Sequence, residues 1–173
     1  VRAWLALVLI LPLAAAAQAS GFGEDSGDQG SRGEVQVPLP AFPKPENYLP
    51  FLVSMTSPFA FFVDAKSISV GADRVVRYSV IAKSADGALN ISFEGMRCAH
   101  DQFRIYAFGR SDNTWFEVRN SRWQAIRNDP RNARRMVLYN DFFCPASGGI
   151  ATVEQGVLAL KNGGNQRSTI TSY

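Results

Sequence analysis

The chain has 173 residues, of which 46% are apolar, and a formal net charge of +3. That balance does not by itself imply a polyanion partner. With one histidine and two cysteines, no cluster with metal-ligand spacing can be assembled from the sequence, so no metal or cofactor is expected.

The first segment reads as a leader. Arg2 precedes an apolar run to Ala17, and Ala17-Gln18-Ala19-Ser20 places small residues two apart. These are the parts of a secretory signal peptide, with cleavage expected after Ala19 and a periplasmic or secreted product. The run falls short of the roughly 20 apolar residues that a span needs. No later stretch is apolar enough to cross a membrane, so no transmembrane segment is expected after cleavage. The remaining chain suits one domain with tails.

Residues 20–57 are expected to form a disordered acidic stretch and then a proline-rich arm. Ser20 to Gly33 is glycine, serine and acid, too polar to offset its ordering entropy. Pro38, Pro40, Pro43, Pro45 and Pro50 favour extended polyproline geometry. Such an arm either wraps the domain, burying Phe42, Tyr48, Leu49, Phe51 and Leu52, or serves as a recognition segment for a partner.

A single domain is expected over 58–162. Phe59–Val63 and Ser67–Val70 read as strands, and Val75–Ser84 alternates, with Val76, Tyr78, Val80 and Ala82 opposite Arg77, Ser79 and Lys83. Asp86-Gly87 marks a hairpin turn, and Leu89, Ile91 and Phe93 return. The alternation slips at Glu94-Gly95. Either Gly95 is a bulge, or the strand is covered on both faces. Phe103–Arg110 is a further strand, with Phe103, Ile105 and Ala107 on one face and Arg104, Tyr106, Phe108 and Arg110 on the other. Thr114–Val118 is a short last strand.

Helical spacing follows. Asp129 caps a helix with Pro130 in its first turn, running from Arg131 to Phe143 and ending at Pro145. Ser147 is a candidate cap for a second helix through Ile150, Val153, Val157 and Leu160, stopped at Asn162-Gly163-Gly164. Residues 163–173 are expected to be a loose tail. Strands first and helices after define an α+β fold: an antiparallel meander with two C-terminal helices packed on it.

Two cysteines in an exported chain point to a disulfide, Cys98 to Cys144. The alternative is a reactive Cys98 thiol beside His100, a redox function.

Several of these motifs together resemble a known family. They are Phe62-Val63-Asp64, Ser67-Ile68-Ser69-Val70-Gly71, Val76-Arg77-Tyr78, Phe93-Glu94-Gly95-Met96-Arg97-Cys98, Tyr106-Ala107-Phe108-Gly109-Arg110, Trp115, Trp123 and Phe143-Cys144-Pro145. Over roughly Pro58 to Leu160 the chain is similar to the cryptic neisserial protein family. The resemblance implies a bacterial, exported, periplasmic protein. It brings no established activity, so no catalytic residue is carried over.

Catalytic signatures are weak. There is no Gly-x-Ser-x-Gly elbow, and His100-Asp101 reads as a solvated turn. A hydrolase using converged carboxylates, such as Glu94 and Glu117, is the enzymatic alternative. The uneven feature is arginine interleaved with tryptophan in the second half. Arg97, Arg104, Arg110, Trp115, Arg119 and Trp123 are the candidate contact residues for a partner, because arginine pairs bidentately with carboxylate or phosphate and stacks on rings. Export argues against nucleic acid, which leaves an envelope protein or an anionic envelope component. Two other readings stay open: a solvated arginine face, and neutralisation within the chain by the acidic stretch Glu24 to Glu34.

Overall fold

A computed structural model describes residues 34–36, 38–145 and 148–164. The leader, the acidic stretch up to Gly33, the Ser147 cap and the tail from Asn165 lie outside the described residues.

Seven strands form one antiparallel sheet. They are β1 (Tyr48–Phe51), β2 (Phe59–Val70), β3 (Val75–Ser84), β4 (Leu89–Arg97), β5 (Gln102–Gly109), β6 (Trp115–Glu117) and β7 (Gln124–Ala125). The first six lie side by side in chain order, and β7 pairs with the other end of β5. The hairpin at Gly87 has the expected form: its φ is +91°, and its amide closes on Ser84 O at 3.0 Å.

Three strands depart from the sequence expectation, one of them β7, which follows the strand expected to be last. The segments expected separately at Phe59 and Ser67 are one strand, interrupted between Asp64 and Ser69. There the Ser67 hydroxyl accepts from the Ser79 amide at 2.7 Å, replacing a lost ladder bond. β1 was not anticipated, because Pro50 lies within it. It sits at the sheet edge, where a missing N–H is tolerated.

The slip at Glu94-Gly95 is not a bulge in β4, which pairs with β3 in unbroken register from Val75↔Arg97 to Lys83↔Leu89. The strand is covered on both faces. The bulge lies across the sheet: Phe93 pairs with Ala107 and Glu94 with Ile105, leaving Tyr106 as the extra residue. This moves Ala107 off the expected face of Phe103 and onto the face of Phe93.

One face carries the helices. Asp129 accepts from the amides of Arg131 and Asn132, and the chain runs through a 3-10 turn into α1 (Ala133–Val137) and a π-helical turn at Leu138–Phe143. The second helix, α2 (Val153–Lys161), starts later than expected. Thr152 caps it through the Gln155 amide at 3.3 Å, and Ile150 lies ahead of it as a core residue. Gly163 (φ +76°) and Gly164 (φ +128°) end it, their amides returning to Leu160 O and Ala159 O in a Schellman closure.

Val63, Val76, Tyr78, Val80 and Met96 of the sheet pack against Leu138, Phe142, Phe143, Ile150 and Leu160. The Cys98–Cys144 disulfide joins the turn after β4 to the end of the π-helical turn, with Cα atoms 5.3 Å apart. Glu94 is fully buried on this face. It accepts from Arg135 Nε at 2.7 Å, Arg135 Nη2 at 2.8 Å, Arg134 at 3.0 Å and Ser92 at 2.7 Å.

Candidate functional site

The opposite face carries the arm. Val75, Ile81, Ile91 and Phe93 are buried there although no helix of the described residues covers them. Residues 34–36 and 38–42 lie over this face, and the Phe42 ring packs tilted against Trp115 at 5.1 Å. Phe93 and Tyr106 are likewise in ring contact at 5.4 Å.

Glu34 is the centre of the arrangement. Its carboxylate accepts from Arg104 Nη1 at 2.9 Å, from Trp123 Nε1 at 3.1 Å, from Arg77 Nη2 at 3.3 Å and from the Tyr106 hydroxyl. Arg97 Nη2 stands 3.8 Å away. The guanidinium of Arg97 also lies over the Trp123 ring, 4.0 Å from its centroid. Three guanidinium groups thus surround one carboxylate whose side chain is only 9% exposed.

The most deeply buried guanidinium of the cage is held from behind. Arg77, in mid-strand on β3, is 1% exposed. It donates to Asp73 at 2.6 and 3.2 Å and to Val35 O at 3.0 Å. Burial would raise the pKa of Asp73, but Arg77 and the amides of Val35 and Val75 outweigh it and hold the carboxyl below its usual range. Tyr106 is pushed well above its ordinary value, first by burial and then by the bond it donates to Glu34. It therefore remains a donor at any physiological pH.

Gly95 makes room for Tyr106. A Cβ there would fall within 2.8–2.9 Å of the Tyr106 ring, so only glycine lets the ring lie flat across β4. Gly95→Ala is expected to displace that ring and destabilise the protein by about 1–3 kcal/mol. Urea denaturation measures the loss, and a changed Trp123 fluorescence reports the disturbed cage.

The six sequence candidates divide. Arg97, Arg104 and Trp123 converge on Glu34. Trp115 is a neighbour in the same groove, its indole N–H donating to Pro40 O at 2.9 Å. Arg110 stacks over the exposed Phe116 at 5.0 Å, and Arg119 is exposed in the loop after β6; neither is part of the cage. Arg77 and Tyr106 were missed. The available signal was a charged residue, Arg77, between the apolar Val76 and Tyr78 in a central strand.

Other candidates fare differently. Glu94 and Glu117 do not converge. Glu94 is buried under α1, whereas Glu117 pairs in register with Ala107 on the arm face. Cys98 is disulfide-bonded, so the structure holds no free thiol there. His100 is exposed in the turn after β4. Among the described residues no group of acids, histidines and cysteines could hold a metal, and no helix is long and apolar enough to cross a membrane.

The fold and site define a disulfide-tied α+β domain whose sheet carries helices on one face and a carboxylate-holding arginine cage on the other. The sequence pattern of the CNP1-like family matches residues 28–161, and the chain belongs to that family. It is 29% identical over 112 residues to cryptic neisserial protein 1 of Neisseria gonorrhoeae, a match covering 56% of this chain and 52% of that protein. The chain thus spans about half the length of that relative. No solved structure matches.

Proposed function

We propose that this is an exported, non-catalytic cell-envelope protein that binds a carboxylate-bearing partner through the arginine and tryptophan face of its sheet. The observation that supports this most is the convergence of Arg77, Arg97, Arg104, Tyr106 and Trp123 on a single carboxylate. Planar guanidinium groups and a neutral phenol match carboxylate geometry, and partial burial strengthens each charge-assisted bond. Export to the periplasm or beyond rests on the leader sequence and its cleavage after Ala19. The partner class is an envelope protein or an anionic envelope component, with no nucleic acid and no cofactor involved.

The test uses the Glu34→Gln protein and propionate, which is the glutamate side chain without its backbone. Propionate is expected to shift the Trp123 indole resonance saturably, more weakly as salt rises, and not at all when Arg104→Ala is added. No shift, or an affinity indifferent to salt, would overturn the proposal.

A further inference from the structure

The groove that receives Glu34 also reads the residues after it. The Val35 amide donates to Asp73 at 2.8 Å, and its carbonyl accepts from Arg77. The indole of Trp115 holds the Pro40 carbonyl. The Phe42 ring seats against Trp115 and over Gly109, where a Cβ would come within 3.1 Å of it. An acidic anchor, main-chain bonds, a tryptophan N–H on a proline carbonyl and a ring in a slot form a receptor for an extended proline-rich peptide. Pro38, Pro40 and Pro43 hold such a segment extended before it docks, which lowers its ordering cost.

Two observations show that the arm does not exhaust this receptor. A cavity of about 500 Å³ remains between Pro38 and Leu39 of the arm and Phe93, Arg104, Tyr106 and Ser121 of the domain. Among the described residues Arg104 Nε is buried and without a hydrogen-bond partner, a donor that Glu34 leaves unused. Among the described residues the arm contributes no strand to the sheet before Tyr48, so it can leave without breaking the meander.

We infer that residues 34–43 are a tethered ligand that closes the groove in cis. The partner taken in trans is a segment of the same chemistry on another protein: a carboxylate followed by a proline-rich extended stretch. This rests on the carboxylate-binding reading above and adds its ligand class and its regulation. A tethered competitor acts at an effective concentration on the order of millimolar. It therefore suppresses binding in trans until a better ligand displaces it, because only the open fraction is competent.

The experiment uses the full chain and a fluorescein-labelled peptide with the sequence of residues 34–43, followed by fluorescence anisotropy. Glu34→Gln with Phe42→Ala loosens the arm and leaves the cage intact. This variant is expected to bind the peptide at least about ten-fold more tightly than the native chain. A peptide with glutamine in place of its glutamate is expected to lose that gain. If the double variant fails to fold, Glu34→Gln alone takes its place. Equal binding by native and loosened chains, lost in both on Arg104→Ala, would overturn the gating and leave the carboxylate site standing. No peptide binding by a folded variant that still takes up propionate would likewise overturn only this inference. A loosened variant that binds neither peptide nor propionate removes both. A native dimer that Glu34→Gln converts to monomer would also overturn closure in cis, because the groove would then hold a second copy's arm.

Discussion

Replacing Glu94 with alanine is expected to destabilise the protein by about 3–5 kcal/mol, because it leaves the buried Arg135 and its neighbour Arg134 without their counter-charge. Arg135 is 6% exposed, and its guanidinium lies 3.9 Å from the centroid of the Phe103 ring, so it cannot reach water without lifting α1 from the sheet. Glu94→Gln keeps the shape and part of the hydrogen bonding, and is expected to lose less. Replacing Glu94, Arg134 and Arg135 together with apolar residues of similar volume is expected to restore most of the stability. Urea denaturation of the three variants measures the series. A Glu94→Ala protein as stable as the native one would mean that the ion pair does not hold the helix.

The same group sets an acid limit. Burial pushes the Glu94 pKa up, but Arg135 and Arg134 push it down further, and it lies below its ordinary value of 4.5. Its contribution is therefore fully present above the unfolded pKa and is lost as the pH falls through the folded one. Stability is expected to fall as the pH drops below that ordinary value, and this acid-sensitive component should be absent in Glu94→Gln. Denaturation midpoints from pH 7 down to pH 3 check both.

Removing the disulfide is the second large effect. The bridge closes a loop with a sequence separation of 46, and replacing both cysteines with serine is expected to cost about 4 kcal/mol on chain-entropy grounds. Native structure adds to the case. Gly149 lies so close that a Cβ would come within 2.9 Å of Cys98 Sγ, and the Ile150 amide returns to Phe143 O at 2.9 Å. The approach to α2 is thus folded over the bridge. Loss of the bridge is expected to loosen α2 first, read as earlier hydrogen exchange at Val157–Leu160 than in the sheet. Intact mass under alkylating conditions, with and without reduction, shows whether the native thiols are protected. Ready alkylation without reductant would return Cys98 to consideration as a reactive group.

Much of the fold was legible because its signals are local. Asp86-Gly87 specifies a hairpin through one glycine at positive φ, and Asp129-Pro130 starts a helix through one carboxylate and one missing amide. The alternation of Val76, Tyr78 and Val80 against Arg77 and Ser79 assigns faces within a strand. The disulfide followed from there being only two cysteines to pair. Where a signal depended on a neighbouring strand, it failed or misled. The irregularity sensed at Gly95 belongs to Tyr106 on β5, because glycine on one strand and a bulge on the next are two sides of one close approach. The π-helical turn carried no pattern distinct from that of an α-helix.

What the sequence by itself determined is the composition of the site: arginines and tryptophans in excess over local acids, and a proline-rich arm that starts with a glutamate. The tertiary structure alone decided that these meet. Glu34 is separated from Arg77 by 43 positions, from Arg104 by 70 and from Trp123 by 89, and no periodicity links residues so far apart. Their convergence depends on strand order, on the register of β3, β4 and β5, and on which face the arm crosses. Those are set by burial of Ile81, Ile91 and Phe93 across the whole sheet, a collective property that no local stretch of chain encodes.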